Sequence, residues 1–407
     1  MIKEVTIKNY KSVCSAFLEL GKMNVFIGPH GAGKSNLLEA VAMLSAESDG
    51  IVRADELMRK GVRVVKPDLT VGSFYGKQRL RMIEASLCGD IKGKLFNKIY
   101  RFVCSDWEDA ASDWVNEYKY HPLMNMEHFI RNSALLGGVL RNSHPDLIAG
   151  SVEEYNESLG KFKTLQCTFD GESSPVPSSN YIEVSRKHLS DFVIYSPVIA
   201  ALRGKLRLSE KTPLGLHGEG LAGLIASFDD DQCSQLLESA GRCVDWLKEI
   251  IVREDGFSAE GCEGGLQPVG AELFFTDRFM LKKNSMLSAA EIDEGTLRVL
   301  FYLSLFLSSE TPSFFAVDHL DCGLNPLIMP LLMKELIRLA KARGKQVLIT
   351  ADNPASLDGL DIENMDIALF SVVRNREGQT EIRRIRFTRK ELRADPLSAR
   401  WLRNDLY

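Results

Sequence analysis

The chain has eight cysteines but no CxxC pair, and no histidine stands at a matching metal-ligand spacing. Scattered at positions 14, 88, 104, 167, 233, 243, 262 and 322, they indicate neither a zinc site nor a disulfide framework, and a reducing compartment is expected. Long apolar runs are missing too: the longest near the end, Val299–Leu307, is about half a membrane span. The amino terminus, MIKEVTIKNYKS, lacks a signal-peptide core, so a cytoplasmic location without membrane attachment is the expectation. No internal period of roughly 20–50 residues is visible, which excludes a solenoid or propeller. Positive charge is not in surplus: 50 Lys/Arg against 55 Asp/Glu leave a net charge of −5, which argues against a dedicated, strongly basic nucleic-acid binder.

What is present suffices for a large core. Of 407 residues 45% are hydrophobic and 26% charged, as expected of one big domain with an insertion, or of two domains. The charge is uneven. Residues 51–101 hold 12 Lys/Arg against 5 Asp/Glu, residues 104–175 hold 5 against 12, and residues 374–403 hold 10 against 4. The two basic blocks are faces able to follow a phosphate backbone or an acidic partner, or are ordinary solvated surface.

The first 45 residues read as strand (Ile2–Ile7), turn (Asn9–Ser12), strand (to about Leu20), strand (Met23–Ile27), glycine-rich loop and an apolar-periodic helix from Asn36. In the middle, the pattern predicts strands over Leu80–Cys88, Lys163–Phe169 and Asp191–Tyr195, an acidic helical stretch over 105–160, and a polar turn at 173–180. The last third predicts a helix over 295–309, strand Phe314–Val317, a helix over 327–343, and strands Gln346–Thr350 and Ile367–Arg374. Strand, helix, strand at that spacing implies a parallel sheet with right-handed crossovers. The expected fold is therefore α/β, with 1–50 and 285–407 building one domain, interrupted by a mixed, partly helical insertion over 51–284 that also carries peripheral strands.

Gly28-Pro29-His30-Gly31-Ala32-Gly33-Lys34-Ser35 satisfies GxxxxGK[ST]. In that pattern backbone N–H groups converge on the α- and β-phosphates, the lysine reaches the β- and γ-phosphates, and the hydroxyl ligates Mg²⁺ at a helix amino terminus. Gly28–Asn36 are accordingly the candidate nucleotide-binding residues, with ATP and Mg²⁺ as cofactors. His30 occupies a variable position; a role as catalytic base is the weaker reading. The partner carboxylate expected at the end of an apolar strand is Asp318, after Phe314–Val317, so Ser35 and Asp318 are the candidate metal ligands.

The neighbours of these residues resemble RecF/OLD-like AAA-type (ABC-class) ATPases of DNA repair and bacterial anti-phage defence. Asp318–Pro326 (DHLDCGLNP) is similar to their Walker B and D-loop segment, usually DEPExGLHP; Asp293–Arg298 (DEGTLR) to the signature SDGTLR; Thr350–Pro354 (TADNP) to the switch segment THSP or THNP; and Asn9–Ser12 (NYKS) to the N-[FY]-[KR]-S turn. The resemblance covers about 1–45 and 285–375 well, the middle only around Tyr195–Pro197 and Pro213–Leu221. It implies an ABC-type head and a nucleotide-bridged sandwich of two heads, as a homodimer or a mixed dimer. The signature residues Glu294, Gly295 and Thr296 would cap the γ-phosphate in trans, with Gly295 offering its N–H.

Three positions depart from the family pattern. His319 stands where the family has the water-orienting glutamate, Asp352 where it has the switch histidine, and Asp293 where many relatives have serine. A carboxylate against a γ-phosphate repels it by roughly 1–4 kcal/mol unless a cation intervenes, and loss of a water-positioning carboxylate removes about 10²-fold or more in rate. His319 and Asp321 are the candidate replacements in catalysis, Asp352 the candidate switch residue, and slow turnover is expected. Gln78 lies in no convincing Q-loop context. OLD-type proteins often carry a carboxy-terminal nuclease, whereas this sequence stops about thirty residues past its last expected core strand, so an effector is expected on a separate polypeptide. The leading reading is an ATP-driven switch acting on that effector; the alternative is a RecF-like ATPase acting directly on duplex DNA. A small-molecule kinase has no use for signature and D-loop segments, and a transporter motor usually lacks an insertion of this size.

Overall fold

The computed structural model describes residues 1–91, 94–117, 167–169, 172–174, 189–206, 213–253, 271–361, 364, 366–386, 395–403 and 405–406. Two six-stranded sheets dominate it. The first is antiparallel throughout, in the order β2-β1-β5-β6-β7-β4, formed by β1 (Ile2–Tyr10), β2 (Val13–Glu19), β4 (Ile51–Val52), β5 (Ile83–Ile91), β6 (Lys94–Cys104) and β7 (Trp114–Asn116). The second has the order β10-β14-β15-β3-β16-β17, formed by β3 (Met23–Ile27), β10 (Ile194–Tyr195), β14 (Phe314–Val317), β15 (Gln346–Ala351), β16 (Ile367–Arg374) and β17 (Thr380–Ile385). Its first five strands run parallel and only β17 is antiparallel. A three-stranded antiparallel sheet of β11 (Leu247–Arg253), β12 (Glu272–Asp277) and β13 (Met286–Ser288) and a small hairpin of β8 (Cys167–Phe169) and β9 (Glu172–Ser174) complete the strands.

The parallel sheet is buried on both faces, which is why β3, β14 and β15 are buried at every position and mostly apolar, broken by Asn24, Gln346 and Thr350, rather than alternating. Phe26, Phe314, Leu348 and Phe370 point to one side, into a core shared with helix α1 (Lys34–Ala46) and the antiparallel sheet. Val25, Ile27, Phe315 and Ile349 point to the other, into a core built with α2 (Asp230–Cys243), α3 (Glu294–Leu307) and α4 (Met329–Arg343). Alternation along each strand divides the two cores.

The last third follows its pattern nearly residue for residue, because each element there is a long or wholly apolar run. The middle differs more. The strand expected from Leu80 begins at Ile83 and continues to Ile91. Within the expected acidic helix, Trp114–Asn116 is a strand paired with β4 and β6, since Trp114 is buried there; residues 118–160 of that stretch, and 163–166 of the strand expected over Lys163–Phe169, lie outside the described residues. Glu172–Ser174 is a strand where a turn was expected to begin, and 175–180 again lie outside them. Helix α2 has a capping box, with Asp229 accepting from the Gln232 N–H, and is absent from the sequence expectations. Among the described residues no helix is long and apolar enough to cross a membrane.

Candidate nucleotide-binding site

Strands β14, β15 and β3 are parallel neighbours, so their carboxyl ends share one edge of the sheet. The segments after them, Asp318–Pro326, Asp352–Pro354 and Gly28–Gly33, therefore meet although the last lies over 280 residues from the other two in sequence. The loop after β3 holds its shape through glycine. Gly28 has φ +154°, and a Cβ there would lie 1.9 Å from the Val372 carbonyl oxygen. Gly33, at φ +105°, leads into α1, and a Cβ there would strike the Thr380 and Ser12 hydroxyls.

Behind the loop runs a chain of side-chain hydrogen bonds. Thr380 Oγ1 donates to the Ala32 carbonyl (2.8 Å); with that proton used, Ser12 Oγ donates to Thr380 (2.7 Å) and accepts from Asn36 Nδ2 (2.7 Å). The Asn9–Ser12 turn, with Asn9 and Lys11 at positive φ, is thereby tied to the loop. Lys11 and Arg63 both pair with Glu39, buried in α1, the Arg63 contact being 2.6 Å. Beside this cluster opens a cavity of about 660 Å³ whose walls include Ser12, Asn36, Arg63, Tyr75, Arg79 and Arg374. Aromatic and cationic groups around a concave space contiguous with a phosphate loop suit a base, a ribose and phosphates. Gln78 lines a separate, smaller cavity with Lys8, Asn9 and Lys77.

Lys34 is buried and extends along the loop, donating to the Gly28 (2.7 Å) and Pro29 (3.1 Å) carbonyls and pairing with Asp352 Oδ1 (2.8 Å). Ser35 Oγ donates to Asp318 Oδ1 (3.0 Å), which also accepts from Thr350 Oγ1 (2.6 Å). A serine hydroxyl against a carboxylate is a hard-oxygen pair of the kind Mg²⁺ takes, while the described residues contain no cluster of three or more acidic, His or Cys ligands. That fits a metal completed by substrate phosphates and water rather than an all-protein cage. Glycine-shaped backbone, buried lysine and this oxygen pair fit Mg-nucleotide.

Two of the three departing residues touch each other. His319 Nδ1 lies 2.8 Å from Asp352 Oδ2, its Nε2 is 3.7 Å from Asp318 Oδ2, and its backbone N–H donates to Thr350 Oγ1 (2.7 Å). Its φ of +53° is uncommon for a non-glycine residue. The hydrogen bond to Asp352 raises the imidazole pKa despite burial. Burial pushes Asp352 up, but the hydrogen bond from His319 and the neighbouring charge of Lys34 outweigh it and hold the carboxyl at about 2. His30, mostly exposed, lies 3.8 Å from Asp352.

Asp321 is arranged differently from the water-activating role expected of it. It is nearly buried, and its Oδ2 accepts the backbone N–H groups of Asp352 (2.7 Å) and Asn353. Burial raises its pKa against those bonds. The carboxylate clasps the segment after β15, a positioning role. Asp293 is likewise engaged within its own chain. It caps α3, Oδ1 accepting the Thr296 N–H (2.8 Å) and Oδ2 the Thr296 hydroxyl (2.7 Å). Glu294 Oε1 accepts from Arg298 (2.6 and 2.8 Å), and both sit against Gly323 of the loop after β14, so the signature segment abuts the D-loop segment of the same chain. Sequence reasoning missed Thr380, Thr350, Glu39 and Arg63. Thr350 lay inside a quoted motif; Thr380 had no local signal.

A parallel sheet carrying this loop at its edge, with an antiparallel sheet over α1 and the helix α3 packed on the loop after β14, is an ABC-type P-loop fold. Residues 1–101 match the AAA ATPase domain model, and residues 287–358 match the model described as "AAA domain, putative AbiEii toxin, Type IV TA system". The chain is 30% identical over 100 residues to the DNA replication and repair protein RecF of Clostridioides difficile, covering 24% of this chain and 26% of that protein. It is 52% identical over 46 residues to RecF of Phocaeicola vulgatus, covering 11% and 12%. The matched stretches thus span about a quarter or less of those relatives. The fold is that of the Smc head crystallised with the C-winged-helix domain of ScpA, at a TM-score of 0.55 and 11% identity over 96% of this chain and 99% of that one. The two family models thus fall on the two ends of the chain, the first on the part that carries the phosphate loop and the second on the part that carries the segments facing it.

Proposed function

We propose that the chain is a Mg²⁺-dependent ATP-binding and slowly hydrolysing switch of the cytoplasm, closing as a homodimer or mixed dimer around ATP and controlling a separate effector protein. One observation carries this reading: Lys34, Ser35 and Asp318 retain the arrangement for holding Mg-ATP, while the two positions that act on the attacking water are His319 and Asp352, bonded to each other. The Gly28–Asn36 backbone and Lys34 bind the phosphates, Ser35 and Asp318 hold the metal, and the Gly295 N–H faces the partner's nucleotide, while Thr296 and Glu294 are engaged by Asp293 and Arg298 of their own chain. Bound Mg²⁺ supplies charge neutralisation on the phosphates. His319 is the residue that orients water, and Asp321 holds the switch segment carrying Asp352. The toxin–antitoxin wording of one matching family model supports an effector-linked role. Purified protein is expected to hydrolyse Mg-ATP in steady state below about 1 s⁻¹, a low-end enzyme rate, and to lose binding on Lys34→Ala; faster turnover would remove the slow-switch reading.

The RecF matches favour a second reading, direct action on duplex DNA through the basic blocks. Salt titration separates the two. Contact with several phosphates gives a log–log slope of about −0.9 per phosphate, whereas an effector switch requires no DNA affinity.

A further inference from the structure

We infer that Asp352 is an intramolecular stand-in for a terminal phosphate, a carboxylate that latches Lys34 and must leave when a triphosphate binds. The inference rests on the nucleotide-binding reading above. Lys34 donates to the Gly28 and Pro29 carbonyls at 2.7 and 3.1 Å, and its ammonium forms an ion pair with Asp352 Oδ1 at 2.8 Å, off the hydrogen-bond direction. The side chain is only 4% exposed, so water does not provide a fourth partner of equal standing. A phosphate oxygen approaching this buried ammonium competes with these three neighbours. Two are carbonyls of the loop itself; the third is an anion on a different strand end, and an arriving phosphate repels it.

The latch is held from three sides. His319 bonds the second oxygen of Asp352, His30 lies 3.8 Å from it, and Asp321 grips the Asp352 and Asn353 backbone N–H groups. Asn353 in turn caps the following short helix, Pro354–Gly359, through the Ala355 N–H. The Asp352 side chain is therefore presented to Lys34 by a braced backbone. Binding is then a competition: the apparent dissociation constant is the intrinsic one divided by the fraction of molecules with the latch open. Removing the charge of Asp352 raises that fraction. The effect belongs to ligands that reach Lys34, those with β- and γ-phosphates, and not to a monophosphate.

The test is equilibrium binding of Mg-ATP, Mg-tripolyphosphate and AMP by calorimetry to the full chain and to its Asp352→Asn, Asp352→Ser and Lys34→Ala variants, each checked for folding by circular dichroism. The latch predicts that both Asp352 variants bind ATP and tripolyphosphate about tenfold more tightly with AMP unchanged, and that Lys34→Ala binds neither polyphosphate. Wild-type binding of Mg-ATP with unchanged or weaker binding by both Asp352 variants overturns the latch and makes Asp352 a residue that helps hold the nucleotide. Absence of Mg-ATP binding by wild type and Asp352 variants alike overturns the underlying nucleotide-site reading.

Discussion

At the scale of single residues, the site is organised by charge. Asp352 is held at about 2 because Lys34 and His319 outweigh the penalty of its burial. Its folded pKa lies below the ordinary Asp value, so the stabilisation it provides is complete above about pH 4 and is lost as pH falls through about 2. The full contribution is about 2 kcal/mol, and roughly 1 kcal/mol of it disappears between pH 5 and pH 3. Urea unfolding of the nucleotide-free protein at those two pH values is expected to show a difference about 1 kcal/mol smaller in Asp352→Asn than in wild type; equal differences would mean that the Lys34–Asp352–His319 chain is not formed in solution. On the alkaline side the sign reverses. His319 is raised by its bond to Asp352, so its contribution is present below the ordinary imidazole value and fades as pH rises through the folded one.

At the scale of elements, helix α3 explains a departure that looked functional in the sequence. Asp293 stands where relatives have serine, and a carboxylate there looked like a repulsive neighbour for a γ-phosphate. In the fold it is an N-cap, a position that serine and aspartate fill almost equally well. Asp293→Ala is expected to destabilise the protein by about 1 kcal/mol in chemical unfolding, whereas Asp293→Ser retains most of the stability. Similar losses in both variants would show that the carboxylate acts beyond capping. The Asn9–Ser12 turn and β17 illustrate a second element-level effect. The turn is legible as a motif, but its use as one end of a bolt through Ser12, Thr380 and Ala32 depends on β17 lying beside β16, which in turn lies beside β3.

At the scale of the whole molecule, the signature segment of α3 is fixed against the D-loop of its own chain through Glu294, Arg298 and Gly323. In the dimer reading the two loops move as one surface and meet the partner's nucleotide together. Light scattering is expected to find a dimer with Mg-ATP and a monomer without it, and Gly295→Gln, which crowds the helix start, to remain monomeric in both. A chain monomeric at all ATP concentrations would defeat the sandwich.

The phosphate loop, the apolar strand before Asp318 and helices α3 and α4 were legible in the sequence because each is specified locally. A glycine-rich loop motif, a fully apolar strand and a capped helix are each written in residues within a few positions of one another. Against the family pattern it resembles, the sequence also sets His319 and Asp352 at the water-orienting and switch positions. Tertiary structure alone decided what the replacements do. Lys34 and Asp352, His319 and Asp352, Asp321 and Asn353, and Thr380 and Ala32 are each brought together by the order of parallel strands, not by spacing along the chain. A carboxylate read alone is equally a base, a cap, a clasp or a latch; which one it becomes depends on the donors that the fold places around it.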